Sequence, residues 1–170
     1  MISEKMQVEL NEQVNKEFYS AYMYLAMSAY CNTLGLPGFA HWMRMQYEEE
    51  SMHVTKMYDY ILGQGGEVHL QSIEEPAKEY GTPLEIFQQT LEHEQFITSM
   101  IHKLMDLAIS ERDYATQTFL QWYVTEQVEE EANVNDILAP LRMVGDDKSG
   151  LMMIDQKIGG RLAPTPLPAN

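Results

Sequence analysis

Glu50 and His53 stand three residues apart in the run Gln46-Tyr47-Glu48-Glu49-Glu50-Ser51-Met52-His53. On an α-helix that interval places both side chains on one face, so a carboxylate and an imidazole can reach one divalent cation together. A Glu-x-x-His pair alone specifies little, because most Glu triplets are solvated charge. Its weight depends on ligands arriving from other parts of the chain. Three carboxylates qualify: Glu17, Glu94 and Glu130, each of which interrupts an apolar seam of helical period.

Those seams define the elements that must position the ligands. Ser3-Glu4 opens a helix that runs to about Asn32, with Leu10, Glu17, Tyr24 and Cys31 recurring at heptad spacing. Gly35 and Pro37 break it, and Pro37 suits the first turn of a second helix running to about Leu62. That second seam reads Phe39, Met43, Gln46, Glu50, His53, Met57, Tyr60. Gly63-Gln64-Gly65-Gly66 ends it, and the connection to Pro83 lacks a strong period. Such a connection fits a chain that crosses the length of a bundle before starting again.

Thr82, Pro83 and Glu85 form the start signal of a third helix. Its seam is Phe87, Leu91, Glu94, Thr98, Ile101, Met105, Ala108. A fourth helix, after a turn at 110–113, carries Leu120, Tyr123, Gln127, Glu130, Val134, Ile137 and Leu141; Pro140 is expected to kink or weaken its last turns. Each helix is about 40 Å long. A short amphipathic fifth helix is expected at about 147–159. The reading is an all-α four-helix bundle with one long crossover between helices two and three. The domain spans 1–162, and a flexible Pro-rich tail occupies 163–170.

Every long helix thus brings a mid-length carboxylate to the interior. A buried carboxylate costs several kcal/mol unless it is protonated, paired or metal-bound. No Lys or Arg occurs on these seam stretches to pair with them. One Glu, one Glu-x-x-His, one Glu and Gln127-x-x-Glu130 resemble the dinuclear carboxylate sites of four-helix bundles. Hard oxygen donors with a single imidazole suit iron or manganese better than a structural zinc. We assign Glu17, Glu50 and His53 to a first metal and Glu50, Glu94 and Glu130 to a second. Gln127, being neutral, supplies the surroundings of the second metal.

Tyr24 lies one heptad beyond Glu17 and points the same way, available as a hydrogen-bond or electron donor or as plain packing. Trp122 reads as core. Glu126, Glu129 and Glu130 share one helical face, and Glu49 points about a quarter turn from Glu50, so the four could hold a third metal, against the alternative of a solvated charge run. His41, His69, His93 and His102 lack converging ligands and read as surface or edge residues.

Composition narrows the function. A net charge of −15 excludes an ordinary nucleic-acid footprint and favours cationic partners. Cys31 is the only cysteine, which fits a reducing compartment. The chain has neither an N-terminal apolar leader nor an apolar run near membrane-spanning length, so a cytoplasmic protein with no membrane contact is expected.

Over nearly its full length the chain resembles the bacterial non-haem ferritins. The resemblance rests on Leu10-Asn11-Glu12-Gln13 with Glu17 and Tyr19, on Glu49-Glu50-Ser51-Met52-His53, and on His93-Glu94-Gln95. Leu120-Gln121-Trp122-Tyr123-Val124, followed by Glu126-Gln127 and Glu129-Glu130, completes it. It implies a homo-oligomeric shell of 24 subunits with the fifth helix on the four-fold axis. It also implies a ferroxidase that oxidises Fe(II) with O2 or H2O2 and stores Fe(III) oxyhydroxide. The implied ligands are Glu17, Glu50, His53, Glu94 and Glu130. Gln127 would lie near the second metal, Tyr24 would be the nearby tyrosine, and Glu49, Glu126 and Glu129 would complete an additional iron site.

Haem-containing relatives of that family carry a second Glu-x-x-His on the fourth helix and a methionine two residues before the second-helix histidine. Here Gln127-x-x-Glu130 and Ser51 stand in those places, so no haem is expected. Three other functions remain open on the residues alone. They are a di-iron oxygenase or peroxidase of the same fold, a miniature DNA-protecting ferritin, and a purely structural bundle.

Overall fold

The computed structural model describes residues 2–165. Among them are five helices and no strand: α1 (Glu4–Thr33), α2 (Pro37–Gly63), α3 (Pro83–Glu111), α4 (Tyr114–Val144) and α5 (Lys148–Ile158). The expected all-α bundle with a long crossover and a short fifth helix is therefore the observed fold. The Pro-rich tail expected at 163–170 falls partly outside the described residues, which end at 165.

Local chemistry explains where the helices begin. The Ser3 hydroxyl accepts from the Met6 amide at 3.0 Å, and Asp113 accepts from the Thr116 amide at 3.0 Å. Thr82 and Glu85 form a reciprocal capping box with Pro83 in the first turn. α2 has Pro37 in its first turn but no capping side chain of its own. Asp155 of α5 takes that place, accepting from the Phe39 amide at 2.9 Å. At Gly38 the two helices approach so closely that a Cβ there would sit 1.8 Å from the Asp155 carbonyl oxygen. α4 runs through Pro140 to Val144 rather than giving way there. Leu138 and Leu141, both buried, hold its last turns against the core.

α1 packs closely on α2 and α3 on α4, and α1 against α3 joins the two pairs. The crossover is pinned along α1: Asn11 donates to the Glu67 carbonyl at 3.0 Å and accepts from the His69 amide at 2.7 Å. Gln7 accepts from the Glu67 amide at 2.9 Å.

The core consists of two apolar halves. One contains Met27, Phe39, Met43, Phe87, Leu138 and Ile154; the other contains Leu10, Met57, Ile61, Ile101, Leu104 and Leu120. Between them, at mid-length on all four long helices, lies a buried polar layer holding Glu17, Gln46, Glu50, His53, Glu94, Gln127 and Glu130. Apolar packing on both sides fixes the depth of that layer and keeps bulk water from it.

Candidate metal centre

Each long helix contributes one carboxylate to the layer, and Glu17, Glu50, Glu94 and Glu130 are all at most 2 % exposed. Neutral amides orient two of them. Gln13, one turn before Glu17, donates to it at 2.7 Å, and Gln46 donates to Glu130 at 2.8 Å. Glu94 is held from two sides: the Tyr24 hydroxyl donates to one carboxylate oxygen, and Gln127 donates to the other at 3.2 Å. Tyr123 donates to the His53 carbonyl at 2.7 Å, and Trp122 meets the imidazole edge-on at 5.3 Å between ring centres.

Glu17, Glu50 and His53 bring one ligand atom each within 4.8 Å of one another. His53 Nδ1 stands 3.4 Å from Glu50. A second convergence joins His53, Glu126 and Glu130 within the same limit. His53 Nε2, 3.9 Å from Glu126, is buried and makes no hydrogen bond. An orphaned imidazole nitrogen facing carboxylates fits a cation seat, because a metal ion satisfies the lone pair and the anionic oxygens together.

The remaining assigned residues are placed differently. Glu94 belongs to neither three-residue convergence and instead faces Tyr24 and Gln127. Glu126 is half-buried beside His53, whereas Glu129 is exposed. Glu49 is ion-paired with Arg161. Glu48 lies on the outer side, 3.5 Å from Arg44. His69 and His102 are exposed, as expected, and His41 is half-buried, bonded to the Arg161 carbonyl at 2.9 Å. His93 is more enclosed than an edge position suggests: its Nε2 meets the Ser20 hydroxyl at 2.7 Å, and burial lowers its pKa to about 4.

The electrostatics show what the layer lacks. Burial, reinforced by the charges of Glu94 and Glu17, pushes the Glu50 carboxyl well above the ordinary carboxylate range. Burial with Glu94 and Glu50 does the same to Glu130. Glu94 is raised to about 7 by burial, although the Tyr24 and Gln127 hydrogen bonds pull it down. Burial also raises Glu126. Burial first, then the neighbouring carboxylates, holds the Tyr24 phenol well above its usual value. Among the described residues, no Lys or Arg lies within the layer. Without a cation these acids retain protons; a divalent cation would displace the protons and take their place.

Several contributors are invisible as ligands in the sequence. Gln13 carries only the weak signal of an amide one turn before Glu17, and Gln46 sits on the seam four residues before Glu50. Arg161 has no signal at all, since it reaches Glu49 across more than a hundred residues.

The ferritin-like domain family model matches residues 7–144. A bacterial non-heme ferritin of Bacteroides fragilis is 43% identical over 161 residues, covering 95% of this chain and 100% of that one. A bacterial non-heme ferritin of Campylobacter jejuni is 39% identical over 158 residues, with 93% and 95% covered. The crystal structure of an open pore ferritin from the archaeon Archaeoglobus fulgidus superposes with a TM-score of 0.94 at 49% identity, covering 95% of this chain and 100% of that chain.

Proposed function

The chain belongs to the ferritin family, the iron-storage proteins, and from that membership we propose that its mid-bundle polar layer is a ferroxidase centre for Fe(II). The observation that carries this reading is the meeting of four buried carboxylates and an unpartnered imidazole nitrogen with no basic side chain among them.

Fe(II) is the substrate. Glu17, Glu50 and His53 receive one ion, and Glu50, Glu94 and Glu130 receive the other, with Glu50 shared. Loading expels the protons that the apo-layer retains. Each Fe(II) gives up one electron; dioxygen takes both together with two protons and leaves as hydrogen peroxide, which can oxidise further Fe(II) in turn. Tyr24 and Gln127 hold Glu94 in place during the change of metal charge, since a preorganised layer need not reorganise. Glu49, Glu126 and Glu129, with Glu130, form an outer station that takes up iron leaving the paired centre. Product must leave, because a site that retained Fe(III) would turn over once.

We place this chemistry in a cytoplasmic homo-oligomer of 24 subunits that stores Fe(III) oxyhydroxide and detoxifies iron, without haem, nucleic acid or membrane as partner. Support for the absence of haem is the residue two before His53. Ser51 stands there, and its hydroxyl is engaged with the Tyr47 carbonyl at 2.7 Å. The experiment is aerobic Fe(II) oxidation followed by absorbance in assembled protein. Glu50→Ala and His53→Ala should each lower the initial rate by about two orders of magnitude. A wild-type rate in either variant removes the assignment.

A further inference from the structure

We propose that Arg161 is a built-in cation of the outer carboxylate station, holding Glu49 until an incoming metal ion displaces it. The inference rests on the proposed third site and adds a residue from the segment that follows α5.

The guanidinium of Arg161 is placed from several directions. Nη2 bonds Glu49 Oε2, and the guanidinium plane lies over Trp42 at 4.7 Å from the ring centre. The backbone is tied on both sides: the Arg161 amide donates to the Ile158 carbonyl at 3.1 Å, and the Arg161 carbonyl accepts from His41 at 2.9 Å. Both members of the ion pair are only 20% exposed. The guanidinium is a permanent cation, so Glu49 is freed of it only when the side chain moves away.

The seat is imperfect. Nη1 of the same guanidinium is buried and has no hydrogen-bond partner, which costs free energy that a shift into solvent would recover. The Glu49 charge also reaches Glu126 and Glu130, so a cation on Glu49 is felt by both. Geometry ties part of that station to the paired centre: His53, Glu126 and Glu130 bring one ligand atom each within 4.8 Å of one another, and the buried, unpartnered His53 Nε2 lies 3.9 Å from Glu126. With Arg161 in place, Glu49 is occupied. A metal ion arriving at the station must compete with a tethered guanidinium, so it is held more weakly than the carboxylates alone would hold it. That is the property a transfer station requires.

The test uses the assembled apo-protein with redox-inert Zn(II) as probe. Zinc binding is followed by titration calorimetry, and by Trp42 emission in a Trp122→Phe background, where Trp42 is the sole tryptophan. Wild-type protein should bind a third equivalent more weakly than the first two, with Trp42 emission changing as the guanidinium leaves the ring. Arg161→Gln should bind that third equivalent about tenfold tighter, leave the first two within twofold, and lose the emission change. Arg161→Lys keeps the charge and should remain near wild type, which separates charge from mere structure. Glu49→Gln releases Arg161 and should abolish the emission change while weakening the third equivalent. A third equivalent of equal affinity in wild type and Arg161→Gln overturns the role of Arg161 while the station stands. No third equivalent in either protein overturns the station and this inference together.

Discussion

The Tyr24 hydroxyl donates to a carboxylate oxygen of Glu94 across the interface between α1 and α3. This bond steadies one of the four buried carboxylates, and it lowers a carboxyl pKa that burial has raised. A tyrosine whose own pKa is pushed far up remains a donor throughout the physiological range. It therefore favours the ionised form of Glu94, which is the form that binds a cation.

Tyr24→Phe should leave the fold intact and raise the Glu94 pKa above its present value of about 7. The expected outcome is a second zinc equivalent about ten- to a hundredfold weaker near neutrality, with the loss shrinking as pH rises, because the change is equivalent to a charge-assisted hydrogen bond of about 1.5–3 kcal/mol. Calorimetric titration across pH 6–8.5 measures it.

Glu94 also makes the apo-protein pH-sensitive. Its folded pKa, about 7, lies above the ordinary 4.5, so the folded state binds more protons than the unfolded state between those values. Stability contributed by this group is full below about 4.5 and is lost as pH rises through 7. Relative to Glu94→Gln, apo wild type should lose on the order of 2–3 kcal/mol between pH 4.5 and 8, read from denaturant midpoints. Zinc should cancel the loss, since metal replaces the proton. His93 works in the opposite sense. Its lowered pKa of about 4 means stability is lost as pH falls through that region from 6.5.

Most of this architecture was legible in the sequence. A carboxylate on an otherwise apolar seam is a conflict between burial and charge, and it occurs at Glu17, Glu50, Glu94 and Glu130. The conflict shows in the residue pattern because helical period alone decides which side faces inward. The contacts that were not legible depend on tertiary placement. Nothing local distinguishes Asp155 as a cap for α2, or Arg161 as the partner of Glu49. The outer acids divide for the same reason: register places Glu126 and Glu129 near each other, but only packing decides that Glu126 turns toward His53 while Glu129 stays in solvent. α4 continues past Pro140 to Val144, where buried Leu138 and Leu141 supply packing that the pattern around one proline does not reveal.

The docking of α5 on α2 offers a test remote from the metal chemistry. Gly38→Ala inserts a methyl against the Asp155 backbone, which cannot yield as a flexible side chain would. We expect a loss of about 2–4 kcal/mol and early hydrogen exchange across Lys148–Ile158, while α1 and α3 amides stay protected. Asp155→Ala, which removes only the cap to Phe39, should cost about 1 kcal/mol in thermal or denaturant unfolding.

Whether the polar layer receives a pair of iron ions is decided by anomalous diffraction at the iron edge, from crystals soaked in Fe(II) without oxygen. Two peaks inside each bundle are predicted, one beside Glu17, Glu50 and His53 and one beside Glu50, Glu94 and Glu130. Iron density confined to surface carboxylates, with the four buried glutamates unliganded, would contradict the account.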